Sequence, residues 1–156
     1  MSIAQIEQRP DSAGFDLVRD PDTGLIQIAA SDQQRQTALT IMSVFSNRLA
    51  AAADELPAGT SDRRGYWGDY LLPRIQGGVD RLGSKVWTLS REVVQPEVAA
   101  RAEGFVVESL DWKLVTGEVI TVDVSVVING ERLEVLVKET TPEGTFENSY
   151  NLDWRR

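Results

Sequence analysis

Residues able to do chemistry are densest between Asp62 and Asp69, where two arginines, two acids, two aromatic residues and two glycines stand within eight positions. Arginine pairs bidentately with carboxylates and stacks on aromatic rings, and Trp, Tyr and Arg are enriched at interface hot spots. This arginine–aromatic loop is either held by its own Arg–Asp pairs and aromatic packing or offers a contact surface to a partner. The two interpretations are compatible, because a loop that orders itself is a preorganised surface.

The chain contains no histidine and no cysteine. Without cysteine there is no thiolate nucleophile and no zinc-thiolate site. Without histidine the usual proton shuttle near neutral pH and the commonest metal ligand are both missing. Triads of the Ser-His-Asp type, Cys-His pairs and histidine-rich metal centres are therefore excluded, while carboxylate, lysine, tyrosine or Mg²⁺ chemistry remains open. No pattern predicts a bound metal or cofactor.

Acidic residues are the remaining candidates for catalysis, as the carboxylate pair of a glycosidase. The candidates are Glu92, Glu97, Glu103, Glu108 and Asp111. Three of them lie six and five residues apart on a predicted helix, so they do not align on one face. Solvated surface charge is the favoured interpretation, and it is extended to the hairpin residues Glu131, Glu134 and Glu139. No catalytic residue is predicted, and hydrolysis by a carboxylate pair stands as the alternative activity.

The segment Asp20–Gly24 resembles the opening of a calcium-binding loop. Such a loop needs a bidentate glutamate at its twelfth position, which here is Ser31. The proline and glycine of the segment instead indicate an ordinary turn between two short strands.

Composition favours a soluble globular chain of one domain, with 156 residues, 42% hydrophobic and 26% charged. The net charge of −8 argues against a nucleic-acid partner, because binding phosphates requires an excess of Lys and Arg. No apolar run approaches the ~20 residues that span a bilayer, and the first residues do not resemble a secretory signal. We therefore expect no membrane partner and assembly in the cytoplasm.

Two helices are predicted to position the loop. Ser31 and Gln34 have capping-box spacing, and apolar residues recur at helical spacing over Arg35–Ala51. The second helix begins at Pro96, which suits a first helical turn, and stops near Gly117.

The C-terminal third alternates between apolar and polar residues and is predicted to be β. Asn129-Gly130 is a preferred two-residue hairpin turn. Taking these two residues as the loop pairs Val126 with Leu133, Val124 with Val135, and Val122 with Val137. A third strand is predicted from Phe146 to Trp154.

These elements predict an α+β fold, in which a small antiparallel sheet packs against two main helices in a single domain. That domain is expected over residues 13–156. Residues 1–12 are polar and irregular, and we expect them to form a flexible N-terminal arm.

Four segments resemble the Mu-like phage baseplate protein family, which is similar to the wedge or sheath-initiator proteins of contractile tails. They are Thr37–Ser46, Asp54–Pro57, Asp62–Asp69 and Gly83–Trp87. The helix that ends in Leu110-Asp111-Trp112 and the Val-rich hairpin also fit, so the resemblance covers nearly the whole chain.

The resemblance implies a structural, non-enzymatic wedge subunit of a contractile phage tail baseplate. It implies six copies or a multiple of six, a place in the virion tail, and contacts with other wedge proteins, the tail sheath and possibly the tube. Some proteins of the wider group are described as lysozymes, so the resemblance makes peptidoglycan cleavage by a lysozyme-like carboxylate pair the alternative function. This sequence does not independently support that activity.

Eight residues are predicted to contact partners under this interpretation. They are Arg63, Arg64, Tyr66, Trp67, Asp69, Trp87, Tyr150 and Trp154. The arginine–aromatic loop is expected to meet a neighbouring wedge protein. The strand Phe146–Trp154 is expected at a sheet edge, where it pairs with a sheath segment by strand addition.

Overall fold

The computed structural model of the protein describes residues 6–8, 15–23, 25, 27, 31–66 and 82–152. The described elements are β1 (Ile6–Gln8), β2 (Phe15–Leu17), α1 (Asp32–Phe45), a 3₁₀ helix (Val86–Leu89), α2 (Pro96–Val115), β3 (Thr121–Asn129), β4 (Arg132–Thr141) and β5 (Gly144–Leu152). Strands β3, β4 and β5 form an antiparallel sheet in that order. Two helices and this sheet confirm the predicted α+β fold.

Helix α1 begins as the sequence predicts. The Ser31 side chain accepts a hydrogen bond from the Gln34 backbone N–H at 3.2 Å, which satisfies one of the donors left open at a helix start. The helix buries Ile41 and Val44 against the rest of the core.

The end of α1 differs from the prediction, because the helix stops at Phe45 and not at Ala51. Beyond it the backbone pairs with the segment that precedes the 3₁₀ helix. The Ser84 N–H donates to the Ser46 carbonyl at 2.9 Å, and the Arg48 N–H donates to the Ser84 carbonyl at 3.0 Å. This tertiary pairing replaces the helical hydrogen bonds that the apolar spacing suggested.

Helix α2 confirms its prediction, with Pro96 in the first turn and Val115 as its last residue. Gly117 follows with a φ of 74°, in the left-handed region where glycine ends helices without strain. Its buried face contributes Val98, Ala102, Val106 and Leu110 to the core.

The inner face of the sheet completes the core. Alternate residues of β4 are buried, as the period of a strand requires. The fully buried apolar residues of the sheet are Leu133, Val135, Val137, Tyr150 and Leu152. The described part of β5 ends at Leu152, and the predicted strand residue Trp154 lies outside the described residues.

The predicted register of the β3–β4 hairpin is wrong by two residues. The observed pairs are Val126 with Val135, Val124 with Val137, and Val122 with Glu139. Asn129 pairs with Arg132, so the loop is Gly130-Glu131. Gly130 has a φ of 61°, and a type II′ turn places its glycine first in the loop. A shift of two residues keeps the same side chains on the inner face.

The N-terminal turn is an ordinary one, as predicted. The Asp20 carboxylate accepts hydrogen bonds from the backbone N–H groups of Thr23 at 2.7 Å and Asp22 at 3.0 Å. The Asp20 N–H donates to the Leu25 carbonyl across the turn at 2.8 Å.

Strand β1 lies within the segment that was expected to be a flexible arm, and it pairs antiparallel with β2. The division into an arm over residues 1–12 and a domain over 13–156 stays a prediction. No helix in the described ranges is long and apolar enough to cross a membrane.

Candidate functional site

Arg63 joins the arginine–aromatic loop to the segment that follows α1 through hydrogen bonds. Its guanidinium donates to the carbonyl oxygens of Ala51 and, at 3.2 Å, of Ala52. In the opposite direction, the Ala50 N–H donates to the Arg63 carbonyl at 3.0 Å. The side chain and backbone of one residue thus hold two segments together.

Arg64 occupies a strained backbone position with a φ of 50°. Its N–H donates to the Asp62 carboxylate at 2.9 Å, which stabilises the bend. The guanidinium carbon lies 4.8 Å from the centroid of the Trp87 ring, within the range of a cation–π contact. Trp87 is only 8% exposed, and its indole N–H donates to the Arg48 carbonyl at 2.9 Å.

Contacts with other segments, at Ala51, Ala52 and Trp87, hold the described part of the loop in place. The Arg–Asp pairs expected within the loop stay a prediction. Tyr66 is half-buried at the end of this part. Trp67 and Asp69 lie outside the described residues, as does Trp154. The partner contacts predicted for these residues, and for Arg63, Arg64 and Trp87, stay predictions.

Tyr150 was expected to contact a partner, but the structure places its side chain in the core. The residue is 3% exposed and packs edge-to-face on Phe45, with ring centroids 6.0 Å apart. A partner cannot reach a side chain at this depth, so Tyr150 supports the sheet from within.

An ion cluster joins α2 to the two segments that precede and follow the arginine–aromatic loop in the sequence. The Lys85 ammonium is 3.2 Å from the Glu108 carboxylate and 3.6 Å from that of Asp54, and Arg48 is 3.4 Å from Glu108. Glu108, which the sequence offered as a candidate catalytic acid, is therefore engaged by two cations. Pairs at this degree of exposure contribute little to stability individually but help to fix the orientation of the segments.

A second polar cluster is sealed inside the fold, and sequence reasoning missed it. The Lys113 ammonium lies 2.5 Å from the Glu139 carboxylate, and the two side chains are 0% and 1% exposed. Lys113 also donates to the Thr40 hydroxyl at 3.0 Å, and that hydroxyl donates to Glu139 at 3.0 Å. This buried network joins α1, α2 and β4.

The pKa values of Lys113 and Tyr150 are shifted because both side chains are buried away from water. Burial lowers the pKa of Lys113, because the charged form loses its hydration, while the adjacent Glu139 charge acts in the opposite direction. Burial, followed by the Glu139 charge, raises the pKa of Tyr150 well above its ordinary value. The Tyr150 hydroxyl has no hydrogen-bond partner among the described residues.

Glu139 corrects the interpretation of the hairpin glutamates as surface charge. It follows Leu133, Val135 and Val137 at steps of two and is therefore on the inner face of β4. The sequence alternation was sufficient to predict that Glu139 faces inward. It was not sufficient to predict its partner, because only the packing of α2 on the sheet brings Lys113 close to Glu139.

The other candidate acids are mostly occupied by structural contacts. Glu92 accepts from Arg101 at 2.8 Å, and Glu103 accepts from the Val126 N–H at 3.2 Å, whereas Glu97 and Asp111 are exposed. The described residues contain no group of three or more acidic side chains that could hold a metal ion. No observation favours the carboxylate-pair alternative.

The edges of the sheet form the second candidate surface. Because the Val126 N–H binds Glu103, it points away from β4. Backbone groups alternate between the two sides of an antiparallel strand. The outward set on β3 is therefore Val122, Val124, Val126 and Ile128.

The same alternation fixes the orientation of β5. Val135, opposite Val126, turns its backbone groups toward β5, where it meets Tyr150. The residues at the alternate positions, Thr145, Glu147, Ser149 and Asn151, consequently turn their N–H and C=O groups outward. In the described part of the sheet β5 is an edge, which is where the strand-addition prediction placed it.

Comparison with known proteins gives one family match. The family model described as Phage protein GP46 matches residues 36–145. This stretch runs from the first turns of α1 to the second residue of β5 and includes the arginine–aromatic loop, α2, β3 and β4.

Two curated proteins are similar to the chain. Baseplate protein gp46 of Escherichia phage Mu is 39% identical over 94 residues, which cover 60% of this chain and 60% of that protein. Mu-like prophage FluMu protein gp46 of Haemophilus influenzae is 30% identical over 95 residues, 58% of this chain and 65% of that protein. The match thus spans less than two thirds of each relative.

Proposed function

Since the chain belongs to the phage protein GP46 family of Mu-like baseplate proteins, we propose that it is a non-enzymatic structural subunit of a phage tail baseplate. The observation that carries this proposal is the family match, which includes α1 from Gln36 onward, all of α2 and two of the three strands of the sheet. The more detailed role is a wedge subunit of a contractile tail. It is assembled in the host cytoplasm in six copies or a multiple of six, and it contacts other wedge proteins and the base of the sheath.

The proposed sheath contact is the edge of β5 between Thr145 and Ser149. An extended segment that pairs there continues the sheet through the outward groups of Thr145, Glu147 and Ser149. Its side chains on one face cover the half-buried Phe146. Those on the other face lie beside the exposed Glu147, so basic or polar residues suit these positions.

The test is the substitution Ser149→Pro. The Ser149 N–H points outward, so a proline blocks the incoming strand without removing a hydrogen bond between β4 and β5. The Ser149 hydroxyl donates to Glu134 at 2.6 Å, and Ser149→Ala is the matched control because it loses this bond but keeps the N–H. We expect baseplates with Ser149→Pro to nucleate few sheaths and those with Ser149→Ala to nucleate them normally, as counted by electron microscopy.

Normal sheath nucleation by folded Ser149→Pro would contradict the β5 proposal. Deleting residues 146–156 is a weaker experiment, because it also removes the core residues Tyr150 and Leu152. Loss of sheaths after that deletion would not separate loss of the edge from loss of the fold.

The proposed contact with a neighbouring wedge protein is the arginine–aromatic loop. Its described part is held in place by hydrogen bonds, so a partner would meet a surface that is already formed. Arg64→Ala and Trp67→Ala test this contact by co-purification with wedge proteins, and Arg132→Ala, at the β3–β4 turn, is the control. We expect the first two variants to recover less partner than the control. Equal recovery by all three folded variants would rule the contact out.

A further inference from the structure

The two edge strands of the described sheet, β3 and β5, differ in whether a side chain accepts a hydrogen bond from their outward N–H groups. On β3, the outward N–H of Val126 is occupied by the Glu103 carboxylate of α2 at 3.2 Å. On β5, no side chain of the described residues accepts a hydrogen bond from the outward N–H groups of Thr145, Glu147 or Ser149.

We propose that Glu103 closes the β3 edge against strand pairing, so that the sheet is extended only along β5. The claim about β3 concerns the chain by itself, whereas the claim about β5 rests on the proposed strand addition.

An acceptor oxygen that already occupies the Val126 N–H explains how one residue can close an edge. A strand that pairs with β3 must offer a carbonyl oxygen to the Val126 N–H, the position that Glu103 already fills. The incoming carbonyl would lie against a carboxylate, two groups that accept hydrogen bonds and repel each other. Charged side chains that point into an edge are a known means by which proteins prevent edge-to-edge association.

The exposed apolar side chains of β3 explain why its edge needs to be protected against strand pairing. Val122, Val124 and Val126 of β3 are only partly buried against the core, and Val127 and Ile128 are 47% and 38% exposed. A β-branched edge with exposed apolar side chains is the kind that pairs with a second copy of itself. The edge of β5 instead carries Thr145, Glu147 and Ser149.

The experiment compares Glu103→Ala with two controls in the isolated protein. Glu103→Gln keeps an acceptor oxygen, and Glu97→Ala removes an exposed carboxylate from the same helix. We expect the Val126 amide of Glu103→Ala to exchange its hydrogen about tenfold faster or more. Sedimentation should show self-association that increases with concentration, beyond any seen in the wild type, while both controls remain like the wild type.

A second substitution separates edge pairing from general loss of structure. The double variant Glu103→Ala/Val126→Pro lacks the donor at the edge, and proline is tolerated there because that N–H is outside the ladder. It should return to wild-type sedimentation. If Glu103→Ala does not fold, the wild type still supplies the test, because the Val126 amide should exchange more slowly than the other outward amides of β3.

Wild-type exchange and sedimentation in folded Glu103→Ala would overturn the proposal, as would a Val126 amide in the wild type as fast as its outward neighbours. These measurements need no tail protein. A failure here therefore leaves the sheath contact standing, and normal sheath nucleation by Ser149→Pro leaves the closed β3 edge standing.

Discussion

The arginine–aromatic loop and the buried network each contain a basic side chain bound to oxygen atoms, but the two side chains differ in their exposure to water. In the loop, Arg63 binds the backbone carbonyls of Ala51 and Ala52, near enough to water that its charge needs no carboxylate. In the network, Lys113 is fully buried and lies against Glu139. Burial therefore decides whether a cation needs a counter-charge or only a hydrogen-bond acceptor.

The two regions should therefore respond differently to mutation. Removing one partner of a buried ion pair leaves an uncompensated charge and typically costs about 3–5 kcal/mol, although the intact pair need not be more stable than an apolar replacement. A contact of the exposed loop is worth much less, because water replaces what is removed.

The largest effect is expected for Lys113→Met. This change leaves the Glu139 carboxylate buried without its partner, and we expect the free energy of unfolding at pH 7 to fall by about 3–5 kcal/mol. Chemical denaturation monitored by circular dichroism measures the change. An apolar double variant, Lys113→Met/Glu139→Leu, should recover most of the loss, because neither charge then remains. A loss of stability that is small at pH 7 in Lys113→Met would show that the network is not the buried site described above.

The contrast between the regions also explains what the sequence could predict. Helix α2 and the start of α1 follow from local signals, namely Pro96, Gly117 and the Ser31 cap. In both cases the information lies within a few residues of the feature that it determines.

Features that depend on distant contacts were predicted poorly. The end of α1 depends on Ser84, which is far along the chain. The buried position of Glu139 was readable from its parity on β4, but the pairing with Lys113 required the packing of α2. The hairpin register failed for a local reason, since Gly130 occupies the first loop position and not the second.

A smaller effect is expected for Arg63→Ala. The variant loses the hydrogen bonds to the Ala51 and Ala52 carbonyls, and we expect a loss of about 1–2 kcal/mol. Hydrogen exchange of the Ala50 amide, which donates to the Arg63 carbonyl, measures whether the two segments separate. Arg63→Lys should restore only part of the protection, because an ammonium lacks the planar fork. A loss of stability as large as that of Lys113→Met would contradict the expected difference between the loop and the buried network.

Tyr150→Phe is expected to change stability by no more than about 1 kcal/mol, and in the favourable direction, because it removes a buried hydroxyl that has no hydrogen-bond partner in the described part of the chain. The difference should appear at alkaline pH. A raised folded pKa keeps Tyr150 protonated while the unfolded chain ionises above its ordinary pKa of 10.0. The wild type should therefore lose stability as the pH rises above that value, and Tyr150→Phe should lose less.

Lys113 does not disturb this comparison. Its lowered pKa makes the unfolded state bind the additional proton, so its contribution to stability increases with pH up to its ordinary value of 10.5. That contribution is present in both proteins and cancels between them. Parallel stability curves for the wild type and Tyr150→Phe between pH 9 and 11 would contradict the burial of the hydroxyl.

The smallest effect is expected for Arg64→Ala. The guanidinium stacks on Trp87 at 4.8 Å from the ring centroid, and a cation–π contact at an exposed site contributes about 0.5–1 kcal/mol. The strained φ of 50° remains in the variant, and Arg64→Gly, which relieves that strain, should be the more stable of the two. Tryptophan fluorescence and thermal unfolding measure both changes. If Arg64→Ala reduced recovery of wedge proteins while changing stability this little, the arginine–aromatic loop would be an interface as well as an ordered segment, a role that its buried counterpart at Lys113 cannot have.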